Sequence, residues 1–181
     1  VEACAACHSR RVELTGQSPP GKPRLDHHLP SLLMPGLYHA DGQQLDEVFV
    51  NGSYRQSKMY QKGVSCTACH SAHTGKLKLE GNAVCLQCHG DKPNADQPAF
   101  AAAAGAFDTS AHHFHKEGAA GAQCVACHMP SKNYMQIQAR PDHSLRVPRP
   151  DLSVKLGTPN ACTQCHADKP ALWAADRVAA W

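Results

Sequence analysis

The chain has 181 residues and a formal charge of +3, and only 29 of those residues are Leu, Ile, Val or Phe. That is under one in five, below the level at which aliphatic burial alone carries a fold, while the weak charge gives the chain no reason to stay open. No run reaches the roughly 18 apolar residues of a membrane span, and the scattered Lys and Arg form no basic stripe with interleaved aromatics, which argues against nucleic-acid partners. Gly-rich nucleotide-binding motifs and the serine-hydrolase G-x-S-x-G are absent from the sequence.

In chain order, the sequence predicts a helical turn through Cys4-Ala-Ala-Cys7-His8 and an extended wrap over the proline-rich residues 18–23. Residues 45–60 read as a helix, although Asn51-Gly52 is also a hairpin pair. Further helical turns are expected through Cys66-Thr-Ala-Cys69-His70, Cys85-Leu-Gln-Cys88-His89 and Cys124-Val-Ala-Cys127-His128. The alanine-rich residues 99–107 are too short to span a membrane. Residues 140–150 carry enough proline to read as a second extended wrap. A last turn through Cys162-Thr-Gln-Cys165-His166 precedes a closing helix over 170–181, with Pro170 near its first turn. Residues 82–93 and 160–170 echo each other, which points to a repeated local geometry.

All ten cysteines fall in these five pentapeptides, each ending in histidine. C-x-x-C-H is the attachment signature of c-type haem. Two thiols add across the two vinyl groups of one porphyrin, and the adjacent imidazole becomes an axial ligand of its iron. Cys4, Cys7, Cys66, Cys69, Cys85, Cys88, Cys124, Cys127, Cys162 and Cys165 are thus the expected attachment points of five haems. His8, His70, His89, His128 and His166 are the expected proximal ligands. Zinc is the competing reading for Cys66–Cys69 and Cys85–Cys88, which are separated by 15 residues, but zinc does not require a histidine after every second cysteine. A thioredoxin-like pair or a disulfide framework fits less well. Five flat apolar macrocycles also supply the core that the composition lacks. The expected fold is therefore a single domain over residues 1–181, mostly α and irregular, with little regular secondary structure wrapped around a haem stack.

Eight histidines remain, and five irons each have a sixth position. His73 follows His70 too closely to reach the same iron and is expected to serve another haem. His112 and His115 are three apart and are expected to share a helical face as distal ligands, with His113 directed elsewhere. His39 and His143 each have an acidic neighbour, Asp41 and Asp142, and are read as distal ligands; Asp142 or a backbone carbonyl is expected to hold the second ring N–H of His143. Of His27 and His28, one is expected to point inward, and either alone reads as a solvated loop residue. Met34, Met59, Met129 and Met135 are expected to pack on porphyrin edges.

The stretches Ala40-Asp-Gly-Gln-Gln-Leu-Asp-Glu, Gln56-Ser-Lys-Met, Gly63-Val-Ser-Cys-Thr-Ala-Cys-His-Ser-Ala-His, His112-His-Phe-His-Lys, Cys127-His-Met-Pro and Asp142-His-Ser-Leu-Arg-Val-Pro-Arg-Pro-Asp-Leu carry a resemblance. Over nearly the whole chain the sequence resembles the multihaem c-type cytochrome domain that often precedes tetratricopeptide repeats in exported bacterial proteins. The resemblance implies a haem-stacked, mostly α and irregular architecture with bis-histidine irons. It also supports His73, His143 and a member of the 112–115 cluster as distal ligands. The chain departs from the pattern by ending at Trp181 before any repeats.

The functional expectation is electron transfer through five covalently bound haems, by a carrier rather than an enzyme. Its partners would be other redox proteins or further copies of the chain, stacked head to tail as an extracellular filament. The alternative is an oxidoreductase of a small nitrogen or sulfur compound with one open iron; a haem-based sensor is a third reading. Val1 begins without a charged-then-apolar leader, so the chain reads as an exported periplasmic or extracellular product, or as a fragment.

Overall fold

In the computed structural model, residues 1–17, 19–92 and 104–181 are described. Ser18 of the first expected wrap, Pro93 of the echo and residues 99–103 of the alanine-rich run lie outside them.

The N-terminal lobe begins with α1 (Glu2–His8), which has Glu2 in its first turn and His8 in its last, each at the favourable end of the helix dipole. The Ser9 hydroxyl donates to the Ala5 carbonyl at 2.6 Å and closes the helix. A two-stranded ribbon follows, β1 (Arg11–Glu13) antiparallel to β2 (His28–Pro30), with Glu13 opposite His28. A 3-10 turn, Arg24–Asp26, leads into β2, and the buried Arg24 donates from Nε to Glu2 of α1 at 2.9 Å.

Within residues 45–60 the helix begins only at Phe49 and is broken at 56–57, giving α2 (Phe49–Arg55) and α3 (Lys58–Gln61), the latter capped by Ser57, whose Oγ accepts the Tyr60 N–H at 3.0 Å. Asn51-Gly52 therefore sits inside a helix, not in a hairpin. Packing explains the glycine: a Cβ at Gly52 would run into the Tyr38 hydroxyl. Gly52→Ala is expected to destabilise the protein by about 1–3 kcal/mol, the usual cost of overpacking, read as a lower urea midpoint of the holoprotein.

Tyr38, Val48 and Tyr134 are buried around α2, and the Tyr134 hydroxyl donates to Gln44 Oε1 at 2.8 Å. Tyr54 donates to the Val64 carbonyl at 2.7 Å. Burial pushes the phenols of Tyr38 and Tyr54 up to about 12. The folded protein thus keeps protons that the unfolded chain releases near pH 10. This stabilisation is complete below pH 10 and falls as the pH rises toward 12. Thermal midpoints measured across that window should drop, and less steeply in Tyr38→Phe.

The motif helices are α4 (Cys66–Cys69), α5 (Ala83–His89), α7 (Cys124–His128) and α9 (Cys162–Cys165), so each C-x-x-C-H forms a helical turn, as its spacing predicts. Between them α6 (Ser110–His113) ends at Phe114, which is left-handed at φ 54°. The chain closes with α10 (Ala171–Ala180), which follows Pro170 and packs on α8 (Pro150–Leu156).

Two expectations need correction. Residues 140–150 are not one extended wrap. Arg140 and Pro141 belong to β4 (Gln138–Pro141), which pairs antiparallel with β3 (Ser131–Tyr134), and Pro150 opens α8. Proline is tolerated there because the first helical N–H has no partner to lose, and the left-handed Gly157 at φ 70° ends the helix. The β3–β4 connection has Met135 and Gln136 at φ 49° and 61°. These left-handed residues carry none of the usual Asn-Gly chemistry, so nothing in the sequence announces the hairpin. Second, His112 and His115 do not share a helical face, because the left-handed Phe114 lies between them.

The fold is mostly helical turns and irregular chain. The polypeptide exposes 11,573 Å², against about 8,500 Å² for a compact monomer of its mass. Val12, Leu14, Leu25, Leu29, Leu32, Leu33, Ile137 and Val147 are all more than half exposed. Its few buried side chains include alanines and hydrogen-bonded tyrosines, so the chain has the form of a shell more than a ball.

Candidate functional site

Within each motif helix the two cysteines are three residues apart and so lie on one face. In α1, α5 and α7 the histidine is the last helical residue, whereas His70 and His166 follow α4 and α9 in non-helical conformations.

Three of the motif histidines face a second imidazole. His70 and His143 are stacked with ring centroids 6.4 Å apart. His128 and His112 are 6.2 Å apart and nearly parallel at 4°, and His166 and His115 are 6.2 Å apart at 37°. A metal between two imidazoles, each bonded at about 2.0 Å with its ring centre about 1.1 Å further back, sets the centroids about 6.2 Å apart. Three ring pairs therefore have the spacing of a bis-imidazole iron.

The outer nitrogens of four of these six rings are held by backbone. His143 Nδ1 donates to the Pro141 carbonyl at 2.9 Å, His128 Nδ1 to Arg146 at 2.9 Å and His70 Nδ1 to Gly75 at 3.1 Å. His115 Nδ1 donates to the His113 carbonyl. A ring whose Nδ1 carries the proton presents a bare Nε2, and the carbonyl increases its basicity as a ligand. Burial lowers the pKa of His143 and His112, which favours the neutral imidazole that binds metal. The carbonyl partner of His143 is one of the two acceptors foreseen; Asp142 instead accepts the Ser144 N–H at 2.8 Å.

The other histidines lie elsewhere. His39 is half-buried beside a cleft lined by Gln43, Gln44, Lys132 and Asp142, with its pKa lowered by burial. His28 is buried on β2 with Nδ1 unpartnered, and His27 turns outward to the Thr15 hydroxyl at 2.8 Å, so His28 is the inward member of the pair. His113 Nδ1 accepts the His115 N–H at 3.2 Å. His73 is exposed on the turn after α4. Among the described residues no second imidazole stands at the iron-spanning spacing from His8. His89 lies 6.3 Å from Phe107, which in turn lies 5.1 Å from His112. Met34 and Met135 are exposed.

The motifs also touch one another. The Cys66 thiol lies beside Cys4, and Cys85 beside Cys124; the second interaction raises the pKa of Cys85 and lowers that of Cys124. Cys69 feels Cys88, and Cys127 feels Cys162 and Cys165. Among the described residues no group of three Cys, His, Asp or Glu side chains converges as zinc ligands would. Sequence reasoning missed Trp173, whose ring stands 5.0 Å from His166, and Asn82, which bonds across two motifs.

Residues 58–94 match the family described as the doubled CXXCH motif. The fold matches the crystal structure of the outer cell wall cytochrome OcwA, with a TM-score of 0.64 and 17% sequence identity, over 99% of this chain and 51% of that one. The chain thus spans about half the length of that cytochrome. Among curated proteins no sequence matches. Motif and fold together support a multihaem c-type cytochrome. Among the described residues no helix is long and apolar enough to cross a membrane.

Proposed function

We propose that the chain is an electron relay of five c-type haems, one on each motif, arranged in space in the order of the sequence. The observation that carries this reading is that cysteines of successive motifs lie close enough to act on one another electrostatically: Cys4 on Cys66, Cys88 on Cys69, Cys124 on Cys85 and Cys162 on Cys127; Gln87 of the third motif also donates to the Ala68 carbonyl of the second at 3.4 Å. Adjacent thioethers bring adjacent macrocycles together, the arrangement that short-range tunnelling requires.

In this reading the ten cysteines hold the haems, and His8, His70, His89, His128 and His166 are the proximal ligands. His143, His112 and His115 are the distal partners of His70, His128 and His166. His28, His39 and His73 then remain for the first and third motifs. Bound between two imidazoles, a haem iron takes up or gives up one electron with little change of geometry. The chain's own part is to hold each pair of rings at that spacing, to fix the ring tautomer through Pro141, Arg146 and Gly75, and to lock the fourth and fifth motifs together. Its short 112–115 segment contributes a ring to each of those two.

Electrons enter and leave at the first and fifth motifs, exchanged with other redox proteins or a further copy of the chain. Covalent attachment suits a protein exported to the periplasm or cell exterior, where the cofactor cannot be replaced once lost. The name of the structurally similar outer cell wall cytochrome is in keeping with this. Electron paramagnetic resonance of the oxidised holoprotein tests the relay. Low-spin signals alone are expected. A high-spin component would favour the oxidoreductase alternative, in which one iron keeps a free face.

A further inference from the structure

The third and fourth motifs are joined by one side chain. Asn82 is the N-cap residue of α5, and its carbonyl accepts the Cys85 and Leu86 N–H groups, yet its side chain makes no hydrogen bond to that helix. Its Oδ1 accepts the Cys124 N–H, the first of α7, at 2.9 Å. Its Nδ2 donates to the Ala122 carbonyl at 2.9 Å and to Asp108 Oδ1 at 2.7 Å. One amide thus caps the helix of the fourth motif from the helix of the third, and Cys85 and Cys124 meet at that point.

Asp108 follows Phe107, the ring that stands between His89 and His112. Asn82 therefore anchors both the thiol contact and the aromatic contact at this junction. Its counterpart in the sequence echo behaves differently. The Oδ1 of Asn160, one residue before the N-cap Ala161, accepts the Thr163 N–H of the adjoining helix α9 at 3.0 Å. Helix capping alone does not explain what Asn82 does.

Resting on the relay reading, we propose that Asn82 is the positioning residue for electron passage between the third and fourth motifs, setting the separation of the two haems bound there. One electron is lost by the haem on the third motif and gained by the haem on the fourth. No bond is made or broken and no proton moves. The rate of such a step is set by distance and orientation, which this amide fixes.

The test is a swap of donor and acceptor in the holoprotein. Asn82→Asp loses both donated bonds and faces Asp108 as a like charge. Combined with Asp108→Asn it recovers a donor–acceptor pair at that position and keeps the bond from Cys124. Haem content is counted by intact-mass spectrometry, intramolecular transfer is followed by pulse radiolysis, and the interaction of the third and fourth irons is read from the resonance line shape. N82D is expected to slow transfer severalfold and to change the line shape, and N82D/D108N to recover most of both. Loss of haem confined to the third or fourth motif, restored in the double variant, supports the same role.

A wild-type rate and line shape in N82D, or a double variant no better than N82D, overturns it. A wild-type protein with fewer than five haems defeats the relay itself, and is seen before any variant is made.

Discussion

Made without its haems, the chain shows no cooperative unfolding transition. Among the described residues the buried hydrophobic side chains are Ala5, Tyr38, Val48, Tyr54, Val84, Ala122, Tyr134 and Ala174, with Pro150 beside them, and none is Leu, Ile or Phe. Folding a domain of this length must offset conformational entropy of order 1–2 kcal/mol per residue, and these side chains are too few and too small to do so. A ligand that binds only the folded state supplies the difference. The expected effect is therefore the loss of the entire net stability, about 5–15 kcal/mol for an ordinary domain. It is measured by circular dichroism on protein whose motif cysteines are all replaced by serine. A sigmoidal thermal transition in that protein would contradict the account.

The second large effect is spectroscopic. His112→Gly should convert one of five irons from low to high spin, and added imidazole should reverse the change. The basis is the near-parallel stack of His112 on His128 at 6.2 Å, with His128 already oriented by Arg146. His143→Gly and His115→Gly should each do the same at a different iron. His113→Ala should leave every iron low-spin, because its Nδ1 accepts a backbone N–H from His115. Five low-spin irons in H112G would remove His112 from the ligand set and with it the meaning of the ring spacing.

Much of this site is legible in the sequence because its chemistry is local. Thioether attachment and the proximal ligand need residues at fixed short spacing, so five pentapeptides announce themselves, each as a helical turn. The closing helix is marked by Pro170 at its start. The distal ligands are legible only as candidates, since their partners come from distant segments: His143 meets His70 across 73 positions of sequence. What orients the rings of these pairs is mostly backbone carbonyl, Gly75 and Arg146 at the proximal His70 and His128 and Pro141 at the distal His143, and a carbonyl has no signature in a sequence.

The misreadings have the same origin. Proline at 150 reads as a breaker until its place at the first helical position is known. The 112–115 spacing reads as a helical face until Phe114 turns left-handed. Asn51-Gly52, by contrast, carries the letters of a turn yet lies in a helix as the surrounding residues predict, and the glycine admits the Tyr38 hydroxyl.

The central claim is that porphyrins joined through thioethers form the interior. Intact-mass spectrometry of the exported protein, paired with iron and zinc analysis, tests it most directly. The account predicts a mass raised by five haems, five irons per chain and no thiol open to alkylation. A chain of bare polypeptide mass with reactive cysteines, or zinc in place of iron, would contradict it.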